Sequence, residues 1–304
     1  MGGTVISVRG LTKSYGRLEA VRGIDLDVTQ GEIFAFLGPN GAGKTTTVEI
    51  LEGYRPSDDG AIEVLGTDPQ RATAAWRARI GVVLQSGQLE SLLTVRESLE
   101  LYSGYYPSPR PVDETLELVG LAEQANQRAG RLSGGQQRRL DVALALVGDP
   151  ELLFLDEPTT GFDPAARRGA WDMIANLRQL GKTVFLTTHY MEEAQTLADR
   201  VAIIKGGRIV ATGRPGELGA IGVTNIRFRL PPELHAADLP TELTALARAS
   251  DDRLEVASTS AVHDLAVLCG WAVERGIDLE ALEAVRPTLE DAYLELTTGE
   301  IVEA

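Results

Sequence analysis

A glycine-rich loop with a lysine and two threonines is the clearest chemical feature of the sequence. It reads GPNGAGKTT and consists of Gly38, Pro39, Asn40, Gly41, Ala42, Gly43, Lys44, Thr45 and Thr46. It follows an apolar run and precedes a predicted helix, the context in which G-x-x-x-x-G-K-[ST] binds phosphate. The glycines let backbone N–H groups wrap a phosphate chain, and the helix N-terminus attracts anions. We expect Lys44 to hold the β and γ phosphates and the Thr45 hydroxyl to ligate Mg²⁺.

Two adjacent carboxylates, Asp156 and Glu157, follow the apolar run LLFL. Such a run is typical of a parallel strand that is covered on both faces. Because ligands of open parallel sheets bind at the carboxyl ends of the strands, both acids should emerge beside the phosphate loop. We therefore assign Asp156 to Mg²⁺ and Glu157 to the attacking water, as a general base or water-orienting group. The alternative for strand-end acids is that they cap a helix.

The stretch LSGGQ, residues 132–136, is a second candidate for chemistry. Ser133 and Gln136 have capping-box spacing at a helix start, yet Gly134 and Gly135 are each up to about 1 kcal/mol worse than alanine inside a helix. A helix start with paired glycines can bind an anion, here a γ-phosphate. Since the chain has one nucleotide loop, the two elements predict a twofold dimer in which each loop faces the partner's LSGGQ across ATP.

These residues need a layered scaffold, and the pattern up to about residue 215 predicts one. Short apolar, β-branched runs alternate with amphipathic stretches, which is typical of an α/β domain. The predicted strands are EIFAFLG (32–38), ELLFLDE (151–157), KTVFLTTH (182–189) and RVAIIKGG (200–207). Between about residues 88 and 148, helical patterns follow one another and predict a helical insertion.

The sequence changes character near residue 216, so we predict an ATPase domain at 1–216 and a small accessory domain at 217–304. The later part holds 17 acidic residues against six arginines and no lysine. TNIRFRL and DRLEVAS alternate like half-buried strands, and a helix follows them. The face that we expect this helix to bury consists of Val262, Leu265, Ala266, Cys269 and Val273. RPTLEDAYLEL predicts a last helix.

The composition narrows the classes of function. A net charge of −15 disfavours nucleic-acid binding, which usually needs a basic stripe, so we expect no nucleic-acid partner. No apolar run approaches the roughly 20 residues that cross a bilayer, so a membrane-spanning partner would have to be another chain. Cys269 is the single cysteine, which permits no internal disulfide and fits a reducing compartment.

The motifs GPNGAGKTT, LSGGQ and LFLDEP, in this order, strongly resemble those of the ATP-binding subunits of ABC (ATP-binding cassette) transporters, over about residues 4–215. The resemblance implies an α/β fold with a P-loop NTPase (RecA-like) core, an antiparallel β subdomain and a helical insertion, followed by a small α+β C-terminal domain. It also implies ATP and Mg²⁺ as ligands, and a homodimer in the ATP-bound state.

The resemblance gives roles to four further residues. Tyr15 matches the aromatic side chain that stacks on adenine, and Gln85 matches the glutamine that contacts Mg²⁺ and the attacking water and senses the membrane partner. His189 matches the histidine that contacts the γ-phosphate, and Asp163 matches the acid that couples the two sites across the dimer. By residue type alone, Tyr15 would be a core residue, Gln85 a surface residue and Asp163 an N-cap.

The implied site falls into groups. The catalytic residues are Glu157, His189, Lys44 and Gln85. The Mg²⁺ ligands are Thr45, Gln85 and Asp156. The residues that meet the ATP of the opposite subunit are Ser133, Gly134, Gly135, Gln136 and Asp163. Phe162 replaces the family's usual leucine and Leu84 stands where proline is common, but neither change removes a reacting group.

The ending RPTLEDAYLELTTG resembles that of ATPase subunits from the drug, antibiotic and polysaccharide exporter branch. This implies an ATPase that energises a separately encoded ABC-2-type exporter from the cytoplasmic face of the cell membrane. The permease should dock in the groove between the Gln85 loop and the helical insertion. Two alternatives stay open: a soluble ABC ATPase that acts on DNA or ribosomes, and an importer subunit, which shares the same ATPase motifs.

Overall fold

The computed structural model describes residues 3–84, 90–219, 224–250, 253–285, 289, 290 and 293. The chain divides into two compact units, Met1–Pro215 and Gly216–Ala304. The strands in the described part are β1 (Thr4–Tyr15), β2 (Leu18–Thr29), β3 (Ile33–Leu37), β4 (Asp59–Val64), β5 (Ile80–Val83), β6 (Leu152–Asp156), β7 (Thr183–Thr188), β8 (Arg200–Lys205), β9 (Arg208–Gly213), β10 (Thr224–Arg229), β11 (Ala247–Ser250), β12 (Arg253–Ser258) and β13 (Glu280–Val285). The α-helices there are α1 (Lys44–Leu51), α2 (Ala74–Arg77), α3 (Val95–Ser103), α4 (Val112–Leu118), α5 (Gly134–Leu146), α6 (Pro164–Gln179), α7 (Met191–Leu197), α8 (Pro215–Gly219), α9 (Thr241–Thr244) and α10 (Ala261–Glu274).

A six-stranded sheet in the order β5-β6-β7-β3-β8-β9 forms the centre of the first unit. Its strands pair in parallel except for β9, which joins β8 antiparallel. Every residue of β3, β6 and β7 is buried, as expected for strands covered on both faces. The rings of Phe34, Phe36 and Phe154 each lie 5.5–5.7 Å from the ring of Phe185. The predicted α/β core is confirmed, and β3, β6 and β7 end at the predicted chemical residues.

The first unit also has a separate, antiparallel sheet in the order β2-β1-β4, which among the described residues shares no hydrogen-bonded strand pair with the central sheet. Alternate side chains of its strands, among them Ile6, Val8, Leu26 and Val28, are buried, as the two-residue period of a half-buried strand requires. They share one hydrophobic cluster with Phe34 and other residues of the central sheet. This sheet is the antiparallel β subdomain that the resemblance implies.

Helices α3, α4 and α5 lie between β5 and β6 and make up the predicted helical insertion. A capping box starts α3, because the Glu97 N–H donates to the Thr94 hydroxyl at 3.1 Å and the Thr94 N–H donates to the Glu97 carboxylate at 2.8 Å. Helix α5 packs against both α3 and α4. The insertion therefore carries the start of α5, which is the LSGGQ stretch, on a packed three-helix base.

The second unit has a four-stranded antiparallel sheet in the order β11-β12-β10-β13. Helix α10 joins a core with Ile226, Phe228 and Val256 of this sheet. The described residues of the predicted last helix, Leu289, Glu290 and Tyr293, are helical. Across all described residues, no helix is long and apolar enough to cross a membrane.

The predicted buried face of α10 is wrong at its two ends, although Leu265 in its middle packs against the core as predicted. Val262 and Val273 are 86% and 79% exposed, whereas Asp264, Leu268 and Ala272 are buried. The buried face combines apolar and polar contacts: Leu268 is buried in the core, and on the same side the Ser258 hydroxyl donates to the Asp264 carboxylate at 2.6 Å. Residues at i, i+4 and i+8 from Asp264 share that face, so the helix is rotated relative to the expectation from its apolar residues.

Candidate nucleotide-binding site

The glycine-rich loop joins β3 to α1. At two of its glycines, neighbouring strands lie so close that a side chain would not fit. A Cβ on Gly38 would lie 2.5 Å from the Ile204 carbonyl oxygen, and one on Gly43 would lie 2.4 Å from the Ala20 carbonyl oxygen. Gly43 also has a φ of 106°, a conformation that side chains strongly disfavour. The loop is thus held between β2 and β8. No side chain caps the first turn of α1, which leaves its N–H groups facing the loop.

Lys44 reaches back across this loop. Its Nζ donates to the Gly38 carbonyl at 2.8 Å and to the Pro39 carbonyl at 3.2 Å, and it lies 3.5 Å from Glu157 Oε1. The side chain is buried, which lowers the pKa of Lys44, while the Glu157 carboxylate acts in the opposite direction. A buried ammonium aimed at the centre of a glycine loop is arranged to receive an anion.

Asp156 is the last residue of β6, and Thr187 of β7 stands beside it in the parallel register. The Thr187 hydroxyl donates to one carboxylate oxygen of Asp156. Burial raises the pKa of Asp156, and this hydrogen bond only partly offsets it. A buried carboxylate of raised pKa gains most from a nearby cation, which is the property expected of a metal ligand.

Glu157 follows in a left-handed backbone conformation, with a φ of 45°. Its carboxylate is nearly enclosed: Oε1 lies 3.2 Å from His189 Nδ1, and Oε2 accepts the Thr160 hydroxyl at 3.0 Å. Burial alone would raise the pKa of Glu157, but Thr160, His189 and Lys44 together hold it below its ordinary value. Glu157 is therefore ionised at neutral pH and ready to accept a proton or orient a water molecule.

These groups open onto a pocket of about 410 Å³ that brings together most of the residues predicted to contact ATP. Its lining consists of Tyr15, Leu18, Ala20, Asn40, Gly41, Gly43, Lys44, Thr45, Thr46 and Glu157. Tyr15, at the end of β1, is 40% exposed rather than a core residue, and the Arg55 guanidinium lies 5.2 Å from its ring centre. An exposed aromatic ring beside a phosphate-type loop offers a surface on which a planar base can stack.

His189 follows β7 and packs against a side chain that the sequence did not single out, Tyr190, whose ring centre lies 4.1 Å from that of His189. The Arg167 guanidinium lies 4.3 Å from the centre of the Tyr190 ring, on which it packs in turn. Thr160 and Thr187 were also not predicted, although each bonds a predicted acid. Their signal in the sequence is weak, because a threonine near a strand end is common and its partner is set by the folded chain.

LSGGQ lies at a different place, in a separate pocket of about 520 Å³ that also includes Phe162. The capping box is present: the Gln136 N–H donates to the Ser133 hydroxyl at 3.3 Å, and the Ser133 N–H donates to the Gln136 side chain at 3.0 Å. A Cβ on Gly134 would meet nothing within 4 Å, and one on Gly135 would meet only Ala166 Cβ, at 3.8 Å. The folded chain itself therefore gives no steric reason for either glycine.

Asp163 is the N-cap of α6, since Oδ1 accepts the N–H groups of Ala165 and Ala166, both at 2.9 Å. These two bonds lower the pKa of Asp163. The capping role, which the sequence left open, is thus real, and it fixes the position of the exposed carboxylate. Gln85 lies outside the described residues. No cluster of three or more His, Cys, Asp or Glu that could hold a metal is found in the described ranges.

Arg138 of α5 connects the LSGGQ helix to the strand ends. Its guanidinium is buried and donates to the carbonyl oxygens of Leu84, Asp156 (2.8 Å) and Pro158 (3.2 Å). Asp141 lies 3.7 Å from the same group. One side chain thus joins the helix that starts at Gly134, the strand that ends at Asp156 and the segment just before Gln85.

Comparison with known proteins agrees with this geometry. Residues 21–160 match the family described as ABC transporter, and residues 224–288 match the C-terminal domain of ABC transporter domain-containing protein-like chains. The chain belongs to the family of ABC transporter ATP-binding subunits, which are P-loop ATPases.

Particular relatives make the match specific. The daunorubicin resistance ATP-binding protein DrrA3 of Streptomyces coeruleorubidus is 40% identical, over 98% of this chain and 97% of its own. The Nod factor export ATP-binding protein I of Rhizobium etli is 39% identical, over 98% of this chain and 95% of its own. A solved dimeric ATP-binding cassette in a post-hydrolysis state, bound to ADP and Pi, aligns with a TM-score of 0.61 and 26% identity, over 69% of this chain and 98% of its own.

Proposed function

We propose that this chain is the ATP-hydrolysing subunit of an ABC-2-type exporter whose membrane subunit is a separate chain. The observation that carries the proposal is the placement of Lys44 Nζ 3.5 Å from Glu157 Oε1 at the mouth of one pocket. At that separation the cation can bind the γ-phosphoryl group while the ionised carboxylate contacts the water that attacks it.

In this proposal ATP occupies the pocket with its adenine on Tyr15. The phosphates lie in loop 38–46, where the N–H groups at the start of α1 and Lys44 bind them. The hydroxyl of Thr45 and the carboxylate of Asp156 are hard oxygen donors of the kind that Mg²⁺ prefers, and with Gln85 they would hold it. Bound there, Mg²⁺ would neutralise negative charge on the β and γ phosphates.

Hydrolysis then depends on groups that stabilise charge and orient water. Ionised Glu157 orients the water and accepts its proton as the oxygen attacks the γ-phosphorus, giving ADP and Pi. His189 donates to the γ-phosphate oxygens, and the contact of its ring with Tyr190 keeps it directed toward the site. Lys44 remains bound to the phosphate charge throughout, because its fixed position needs no reorganisation.

The glycines of LSGGQ support a head-to-tail dimer. No described residue of this chain comes close enough to require them, so we infer that a group from outside the chain approaches their backbone. We assign Ser133, Gly134, Gly135 and Gln136 to the γ-phosphate of ATP held by the partner subunit. Asp163 couples the two sites. The dimeric form of the solved relative supports this arrangement.

The relatives' names support the direction of transport. The Nod factor protein, which aligns over nearly its whole length, is named as an export protein. We therefore place this chain on the cytoplasmic face of the cell membrane, bound peripherally to a permease, with no nucleic-acid partner. The unit that we set at 217–304 is accessory and supplies no reacting group.

The test is ATP turnover by the purified chain with Mg²⁺. Glu157→Gln should lower kcat by at least about 10²-fold while ATP still binds, as expected for loss of a general base. Glu100→Gln, an exposed acid on α3, is the control for the change in charge and should retain full activity. Normal turnover by Glu157→Gln would refute the assigned role.

A further inference from the structure

A groove lies between α1, β5 and the helical insertion. It has a volume of about 730 Å³ and a mostly apolar lining, to which Val82, Leu84 and Leu144 contribute. Tyr54 and Tyr102 stand at its edge, 78% and 42% exposed. Large exposed aromatic and apolar side chains around one concavity are typical of a surface that a protein partner covers.

One acid in this groove lacks the partner that its burial calls for. Glu52 caps the C-terminus of α1 and is half-buried. Among the described residues, no cationic group lies within ion-pair distance of its carboxylate, and the charges that act on it, Glu49 and Asp156, are both negative. Desolvation and these two carboxylates raise the pKa of Glu52 to about 8. The end of a helix is also the unfavourable end for a negative charge.

The other charges of the groove do not relieve Glu52. Glu49, which also lines the groove, is neutralised by Arg55, whose Nε lies 2.6 Å from its carboxylate. Arg77 lines the groove too, but its side chain is exposed. The described groove therefore combines an apolar surface with one half-buried carboxyl group, Glu52, whose ionised form has no cationic partner among the described residues.

We propose that the element of the membrane partner that fills this groove is an amphipathic segment carrying an arginine or lysine that pairs with Glu52. This rests on the proposed function, since it supplies the chemistry of the partner assumed there. The apolar side of the segment covers Val82, Leu84 and Leu144. Its cation is desolvated against Glu52, where a charged hydrogen bond is far stronger than on an open surface.

The first step of the test asks whether a partner exists. The tagged full-length chain is used to capture proteins from detergent-solubilised membranes of its own organism, and the membrane protein that co-purifies is identified by mass spectrometry. Peptides covering each of its cytoplasmic segments are then titrated against the chain. If the unmodified chain captures no membrane protein, the proposed function fails, and the present inference fails with it.

The second step tests Glu52 itself. Glu52→Gln should lower the affinity of the chain for the peptide by at least about tenfold, and Glu52→Arg should abolish binding. Replacing the peptide's arginine or lysine by glutamate should restore binding to Glu52→Arg, whereas Glu100→Gln should bind as the unmodified chain does. Thermal melting of both Glu52 variants checks that they fold.

Two outcomes would overturn the inference while leaving the proposed function standing. One is capture of a membrane protein whose peptide binds Glu52→Gln as tightly as the unmodified chain. The other is a peptide whose binding depends on Arg77, tested with Arg77→Gln, and not on Glu52, because the segment would then present an acid to the groove.

Discussion

The Thr160 hydroxyl donates a hydrogen bond to Glu157 Oε2 across 3.0 Å. Thr160 lies in the turn that leads to Asp163, so the proposed general base is bonded to the segment that caps α6. The bond favours the ionised carboxylate and is one of the reasons why the pKa of Glu157 lies below its ordinary value. Thr160 is thus a positioning residue for Glu157.

Thr160→Val should slow ATP hydrolysis and shift its pH dependence. Without the hydroxyl the pKa of Glu157 rises, so the acid limb of the kcat profile should move to higher pH. At pH 7 the carboxylate stays ionised, but it is no longer held in position, so kcat should fall by roughly threefold to tenfold. Thr160→Ser keeps the hydroxyl and should restore both. A pH–rate profile that is identical in the valine variant would show that Thr160 does not act on the carboxylate.

Gly134→Ala should separate folding from dimer formation. Since a Cβ there meets nothing within 4 Å, the variant should be as stable as the parent chain or more stable by up to about 1 kcal/mol in urea unfolding. In a chain that also carries Glu157→Gln, the variant should no longer dimerise with ATP, as measured by sedimentation with and without the nucleotide. Gly270→Ala in α10 meets equally open space and is the matched control, with dimerisation intact. Full dimerisation of Gly134→Ala would exclude close approach of a phosphate to that backbone.

Arg138→Ala should destabilise the first unit. It leaves three carbonyl oxygens without this donor, two of them in buried hydrogen bonds, which costs on the order of 3 kcal/mol in the free energy of unfolding. Arg138→Lys keeps the charge but lacks the planar fork that reaches three acceptors, so an intermediate loss is expected. Arg131→Ala, which removes an exposed arginine nearby, should change stability by less than about 0.5 kcal/mol. Equal stability of the Arg138 and Arg131 variants would contradict the connecting role.

The stability of the chain should depend on pH through Glu52. Its pKa is about 8 in the folded state against an ordinary 4.5, so the folded state binds the proton more tightly than the unfolded state. The contribution of Glu52 is thus retained below about pH 4.5 and lost as pH rises toward 8.

Glu52→Gln should remove the loss of stability that the parent chain shows as Glu52 ionises. The difference in unfolding free energy between Glu52→Gln and the parent chain should grow in favour of the variant by roughly 3 kcal/mol between pH 5 and pH 8.5, because each pKa unit is worth about 1.4 kcal/mol and Glu52 retains some solvent contact. Urea unfolding at both pH values measures it. A difference that stays constant with pH would mean that Glu52 titrates normally.

Much of the fold could be predicted because its signals are local. The continuous apolar runs of β3, β6 and β7 are buried strands, and the phosphate loop lies between the strand and helix that the sequence indicated. The capping box at Ser133 is likewise local, with both of its hydrogen bonds between residues three apart.

What could not be predicted depends on contacts between distant parts of the chain. Arg138 bonds carbonyl groups 54, 20 and 18 residues away, and nothing in QQRRLD distinguishes it from its neighbour Arg139. The face of α10 was wrong at Val262 and Val273, and the buried face includes Asp264, which accepts a hydrogen bond from Ser258 of β12. Neither the choice of Arg138 over Arg139 nor the burial of Asp264 follows from the periodicity of apolar residues.

Helix α1 has the phosphate loop at one end and Glu52 at the other. Eight residues at 1.5 Å per residue give it a length of about 12 Å, and its sequence KTTTVEIL contains no glycine or proline at which it could bend. It is therefore a short, straight helix that connects the pocket to the groove. A displacement of Glu52 along the helix axis would therefore carry Lys44 with it, and the occupant of the groove and the phosphates of the nucleotide would contact opposite ends of one helix.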